Sequence, residues 1–270
     1  MHKLRYVLVA LLLAVLRLTG LDAAYAAEGG TGVYLLGYRV LLPGIMPKPG
    51  LCLRNDCYWY NADAGKVVIV DDINLDAEIK AFADLVTITY VPDFNILGAK
   101  YGIGVLQPIG SAHLKSQIEA TGEPLVQSTA RASGGGDTLF IPGMLGWQYG
   151  NFHCIGAVFL FFPTGQYKKN GEINIGKNRF AVDPNIAVTW LQAEGGHEIS
   201  LAAGYTMNSE NKNTNYKTGD ELHFDFTLAQ HFASGLAVGL GSYFYKQLAR
   251  RCHLLYNDYH ALTVAFLYLS

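Results

Sequence analysis

The sequence predicts an all-β fold, one large domain of antiparallel strands behind an N-terminal export signal. Three observations carry that expectation. Hydrophobic residues recur in steps of two along most of the chain. The composition is rich in Gly and Tyr and poor in charge, with 30 Gly and 17 Tyr in 270 residues and 16% charged residues, against a usual charged share of ~25%. Beyond the N-terminus no apolar run approaches the ~18 residues that a spanning helix needs. The chain is too apolar and aromatic for disorder. A formal charge of −2 offers no basic surface for nucleic acid. Four Cys in a chain of this length do not make a disulfide-dense scaffold.

Residues 1–26 read as a signal peptide. Lys3 and Arg5 form a positive n-region, Tyr6 to Leu16 an apolar core closed by Arg17, and Ala24-Tyr25-Ala26 a small-x-small cleavage site. The core is too short for a membrane anchor. Residues 27–49 follow, apolar and rich in Gly and Pro. Pro43 and Pro47 keep this stretch from being one strand. It is read either as a periplasmic tail or as a plug inside a lumen.

The strands begin at residue 50. Gly50 to Ala62 sets Leu51, Leu53, Cys57 and Trp59 against Arg54, Asp56, Tyr58 and Tyr60. Ile79 to Val91 puts Phe82, Val86, Ile88 and Tyr90 on one face, and Asp84 on the same face predicts a bulge or a register shift. Phe152 to Phe162 is apolar on both faces, so its direction is unreadable. Asn185 to Trp190 and Glu198 to Met207 alternate again. The clearest segment is Glu221 to Leu228, with Leu222, Phe224, Phe226 and Leu228 opposite Glu221, His223, Asp225 and Thr227. Leu236, Val238 and Leu240 oppose Ala237, Gly239 and Gly241. Turn signals separate these runs, among them Gly134-Gly135-Gly136-Asp137, read as a hairpin, and the polar stretch Asn208 to Asp220, read as a long exposed loop. At roughly 20 residues per strand and turn, residues 50–270 make about 12 strands, with 10 as the alternative.

Alternation alone fits two architectures. A soluble sandwich or barrel turns the apolar face inward, whereas an outer-membrane barrel turns it to lipid. Small residues sharing the polar face, Tyr and Trp near strand ends, and loops of unequal length favour the membrane barrel.

An ordered series of short motifs then resembles a Gram-negative outer-membrane family named for the meta-pathway of phenol degradation. It starts at Glu28-Gly29-Gly30-Thr31-Gly32 and runs through Pro47-Lys48-Pro49-Gly50-Leu51, Gly146-Trp147, Pro163-Thr164-Gly165-Gln166-Tyr167 and Asp183-Pro184. It is densest at Asn208-Ser209-Glu210-Asn211, Thr214 to Glu221 and His223-Phe224-Asp225, and ends near Gln247. The resemblance implies a monomeric barrel in the cell outer membrane that admits small hydrophobic or aromatic solutes, its partners being the lipid bilayer and those solutes. It implies no reaction and no cofactor. The alternatives are a structural or stress-related barrel without an open pore, and a soluble periplasmic β-protein that binds an apolar ligand. After Gln247 the sequence departs from the family. Leu248 to Leu255 carries Arg250, Arg251, Cys252 and His253, and Leu262 to Leu269 is strand-like but apolar on both faces. Residues 248–270 are therefore expected to be an atypical end, which bears on closure of the barrel.

The residues predicted to line the lumen are Arg54, Asp56, Glu198, Ser200, Glu221, His223 and Asp225, all on polar strand faces. Arg54, Lys80 and Lys246 are available to balance the acids. His223 and Asp225 share a face and suit a His–carboxylate pair, but no Ser on that strand completes a triad. Cys52 and Cys57 fall on opposite faces, no C-x-x-C or H-x-x-x-H occurs, and no metal site is predicted.

Overall fold

The computed structural model describes residues 32–269, save 64–66, 71–72, 121–122, 193 and 249–258. The expected signal peptide and the motif Glu28–Thr31 lie outside the described residues. The strands are β1 (Gly50–Asp63), β2 (Val67–Val70), β3 (Ile73–Val91), β4 (Asn95–Ile96), β5 (Ala99–Ala120), β6 (Glu123–Gly135), β7 (Thr138–Tyr149) and β8 (Phe152–Phe162). They continue with β9 (Ala181–Gln192), β10 (His197–Asn208), β11 (Glu210–Asn211), β12 (Tyr216–Lys217), β13 (Asp220–His231), β14 (Leu236–Leu248) and β15 (Tyr259–Leu269). No helix occurs among the described residues.

One antiparallel path runs β1-β3-β5-β7-β8-β9-β10-β13-β14-β15. No pairing joins β1 to β15 among the described residues, and the sheet is a curled half-barrel. Along this path each strand pairs antiparallel with the next one in chain order. The connections at one end are short, at 150–151 and 232–235, while 163–180 and 209–219 at the other end are long.

Which face is buried bears on the choice between the two architectures. On β13 Glu221, His223 and Asp225 are 0–1% exposed, whereas Phe226 is 38% and its partner Leu201 on β10 is 45% exposed. On these strands the polar face is inside and the apolar face outside. A soluble barrel has the reverse, because water rewards burial of the apolar side. Small residues let the interior fill. Gly204 pairs with His223, and a Cβ there would fall on the His223 ring and within 2.6 Å of Asp183 Oδ1.

Several expectations need correction. Gly134 to Asp137 is no hairpin. β6 and β7 both run antiparallel to β5, from Ile109↔Gly135 to Leu106↔Leu139, so they form one kinked strand with a single-residue offset. Gly134 supports the kink at φ 139°. No bulge marks Asp84. The register of β1 with β3 is unbroken, and the outward Asp84 carboxylate accepts from Cys57 Sγ at 3.3 Å on the facing strand. The two polar groups satisfy each other, which removes the reason for a shift. Phe152 to Phe162 resolves as β8, with Ile155, Phe159 and Phe161 inward and Phe152, Val158 and Phe162 outward. The stretch 208–220 is not all exposed, since Asn208, Asn211 and Thr218 are buried. Leu262 to Leu269 does pair, as part of β15 on β14, with a register shift between Gly241 and Tyr243.

Candidate functional site

The interior of the curl has two unlike walls. β3, β5, β7 and β8 contribute Leu85, Leu106, Leu139, Ile141, Phe159 and Phe161, an apolar cluster. β9, β10 and β13 contribute Asp183, Asn185, Glu198, Ser200, His223 and Asp225. Residues 32–49 lie as a strap between the walls. Val33 and Tyr34 pack into the apolar cluster, with Leu35, Leu36 and Met46 against it.

On the polar side the strap is tied by its backbone. Asp225 accepts from Tyr34 Oη at 2.6 Å, from the Gly37 N–H at 3.0 Å and from the Arg39 N–H at 3.2 Å. Glu198 accepts from the Leu42 N–H at 2.8 Å, and the Thr189 hydroxyl accepts from the Gly44 N–H at 3.0 Å. A segment with three prolines and three glycines between 37 and 50 cannot satisfy its own donors in a regular element. The buried carboxylates do it instead, and charged acceptors make the stronger bonds. Arg39 donates to Asn185 Oδ1 and to the Pro43 carbonyl, and its guanidinium lies 5.4 Å from the Phe159 ring centre. Tyr34 stacks on His223 with ring centres 3.7 Å apart. Burial and the adjacent Asp225 push the Tyr34 phenol well above its usual range, so it stays a donor at every ordinary pH. Leu42 holds φ 50° beside Glu198, a strained backbone for a bulky residue that its anchor compensates.

Between the strap, the apolar wall and the 163–180 loop lies a cavity of about 360 Å³. Val33, Leu36, Leu106, Leu139 and Phe161 line its deep side, and Tyr167, Lys169 and Glu172 its loop side. The loop is folded inward by Asp137, which accepts from the Gly165 N–H at 2.9 Å and the Lys177 N–H at 2.7 Å. Asn211 Nδ2 adds a bond to Tyr167 Oη at 3.1 Å, which ties the second long loop over the same mouth.

The family model described as "MetA-pathway of phenol degradation" matches residues 60–259, which takes in both walls and the loops of this site. The chain belongs to this family. No curated protein matches it. Among solved structures, an outer membrane channel from Pseudomonas putida F1 is similar, with a TM-score of 0.57 at 15% identity over 76% of this chain and 74% of that one. At that identity the likeness is one of fold, an antiparallel β-barrel.

The residues predicted from the sequence fall in two groups. Glu198, Ser200, Glu221, His223 and Asp225 come together on the buried polar wall. Arg54 and Asp56 stand apart on β1, paired to each other at 2.8 Å and partly exposed. The expected balancing cations do not serve. Lys80 bonds Glu78, and Lys246 pairs in register with the outward Leu222. Buried Arg179 lies 3.5 Å from Glu221 and donates to Asn208 Oδ1 at 3.0 Å, and His231 bonds Glu198 at 2.6 Å. His223 pairs with Asp183 at 2.6 Å rather than with Asp225. No serine hydroxyl bonds a histidine ring nitrogen among the described residues.

Arg39 and Arg179 are absent from the residues predicted from the sequence, and Asp183 enters there only within the Asp183-Pro184 motif. Buried acids of one strand face demand cations, but only the fold says which chain segment delivers them. Gly44 offers a test of the strap's seating. A Cβ there would lie 2.7 Å from the Thr189 backbone nitrogen and 2.8 Å from the His153 carbonyl. Gly44→Ala is expected to lift this end of the strap at a cost of ~1–3 kcal/mol. Faster amide exchange at Leu42 and Gly44, with the barrel otherwise unchanged, is the readout. Unaltered exchange would show that the strap adapts.

Proposed function

We propose that the protein is an outer-membrane barrel that passes small hydrophobic or aromatic compounds by passive diffusion, with residues 32–49 as its plug. One observation carries this reading: a sheet with its apolar face outward encloses an apolar cavity beside a tethered strap. The outward face suits lipid. The cavity suits a solute of one or two rings, being larger than the ~150 Å³ that holds benzene. In this reading Glu198 and Asp225 hold the plug, Arg179 offsets the charge of Glu221, Asp183 holds His223 in place, and the aromatic residues of the opposite wall give the solute an apolar path. The many bonds to the strap favour a barrel that is closed to ions at rest.

The test uses cells that express the full chain. Membrane-fraction protein is run with and without boiling, where a mobility shift marks a closed barrel. Uptake of a neutral single-ring aromatic is then compared with that of a sugar of similar mass. Expression is expected to speed the aromatic alone. Ala112→Trp, which fills the cavity from β5, is expected to slow that uptake severalfold with the mobility shift retained. Equal uptake with and without the protein would overturn the transport reading and leave a barrel without a pore. Release of the protein by carbonate would overturn the membrane reading.

A further inference from the structure

The apolar face of the sheet changes sides along β3 and β5. From Tyr90 to Phe82 the outward residues of β3 are apolar apart from Asp84, and beyond Phe82 they are Lys80, Glu78 and Asp76. The inward residues at that height, Ala81 and Ile79, line the cavity. On β5 the outward Ile103, Val105 and Ile109, interrupted by Gln107, give way to Ser111, His113, Lys115 and Gln117. Such an inversion marks the height at which strands leave hydrocarbon. Trp59 and Phe82 stand there with ring centres 5.1 Å apart. They lie eight residues along the strands from Leu51 and Tyr90, about 26 Å of strand, or ~20 Å across a bilayer at the usual tilt. The long loops are at this end, which is the outer side in such barrels.

The next row outward is cationic. Asn61 pairs with Lys80, Lys80 with His113 and His113 with Arg131, all pointing away from the interior. These side chains rim a shallow groove of about 660 Å³ whose inner border is Trp59, Phe82, Ser111 and Ser133. Glu78 shares the charge of Lys80 at 2.5 Å and stands opposite Lys115, and Asp76 lies one row farther out. Lys80 is still 57% exposed, and Arg131 is exposed.

We propose that this groove binds a phosphorylated lipid of the outer leaflet. Arg131 and Lys80 would take the phosphate, with His113 between them, and the acyl chains would lie on Trp59 and Phe82. The chemistry is that of the two layers a lipid presents at one height. An Arg fork bonds phosphate oxygens in pairs, Lys adds a point charge, and aromatic rings favour the interface. A free anion would use the cations but not the aromatic floor. The proposal rests on the membrane reading above.

The test uses the full chain in neutral-detergent micelles with Trp147 and Trp190 changed to Phe, which leaves Trp59 as the sole tryptophan. The probes are a bisphosphorylated diglucosamine lipid, its dephosphorylated form and inorganic phosphate. Trp59 fluorescence is expected to respond saturably to the phosphorylated lipid only. Arg131→Gln and Lys80→Gln are each expected to weaken that response about fivefold, and the double variant more. A retained mobility shift on boiling shows that each variant is a folded barrel. An equal response to the dephosphorylated lipid, or to phosphate alone, overturns the proposal, as does an Arg131→Gln titration like that of the parent. Loss of the boiling shift in the parent overturns the membrane reading instead, and the lipid site with it.

Discussion

Deleting Glu28 to Pro47 is expected to raise single-channel conductance severalfold in planar bilayers. The strap fills the space between the two walls, and its removal replaces a packed peptide by water along Glu198, Glu221 and Asp225. Those carboxylates are then hydrated rather than stranded, so the barrel is expected to keep its boiling shift. Asp225→Ala is the smaller version. It strips the acceptor from Tyr34 Oη and from the amides of Gly37 and Arg39, and each buried orphan donor costs ~1–3 kcal/mol. Intermediate conductance with frequent openings is the expected trace. Unchanged conductance in the deletion, with the boiling shift intact, would show that residues 32–49 do not obstruct the path.

The second large effect is on the outside. Leu201 is 45% exposed in the middle of β10. If that exposure is to lipid, Leu201→Arg is expected to cost ~2–4 kcal/mol in folding into vesicles, the usual penalty at the bilayer midplane. If it is to water, the change falls within about 0.5 kcal/mol. Equilibrium folding titrations into phosphatidylcholine vesicles read the difference directly. A cost below about 0.5 kcal/mol, the order of a surface substitution, would sink the lipid-facing assignment of this strand.

Both effects trace to the same inversion of the usual protein interior. The polar wall is rich in buried charge, and a buried ion pair contributes little net stability, although breaking one costs ~3–5 kcal/mol. Arg179 and Glu221 therefore serve position more than stability. They hold the base of the 209–219 loop at the mouth, through Asn208, whose amide also donates to the Gly219 carbonyl at 2.9 Å. Loops so tied set the shape of the cavity entrance.

Much of this was legible in the sequence, because a strand turns alternate residues to opposite faces and needs no knowledge of its neighbours to do so. The polar row Glu221, His223, Asp225 and the small row Ala237, Gly239, Gly241 are local facts, and both proved to face inward. The all-β class follows from the same alternation, and the family resemblance from the ordered short motifs. What alternation lacks is a sign. It says that two faces differ, not which one is inside, and Phe152 to Phe162 with two apolar faces said nothing at all. Burial supplied the sign. Tertiary pairing alone brought Asp183 to His223 across 40 positions and Arg179 to Glu221. It also carried the strap to Asp225, 188 positions from Gly37. Such contacts depend on the register of several strands at once, and long loops such as 163–180 and 209–219 leave that register unset by any tight turn. The kink at Gly134 to Asp137 shows the same limit, since glycines permit a hairpin and a kink alike, and only pairing of β6 and β7 along one strand, β5, chooses between them.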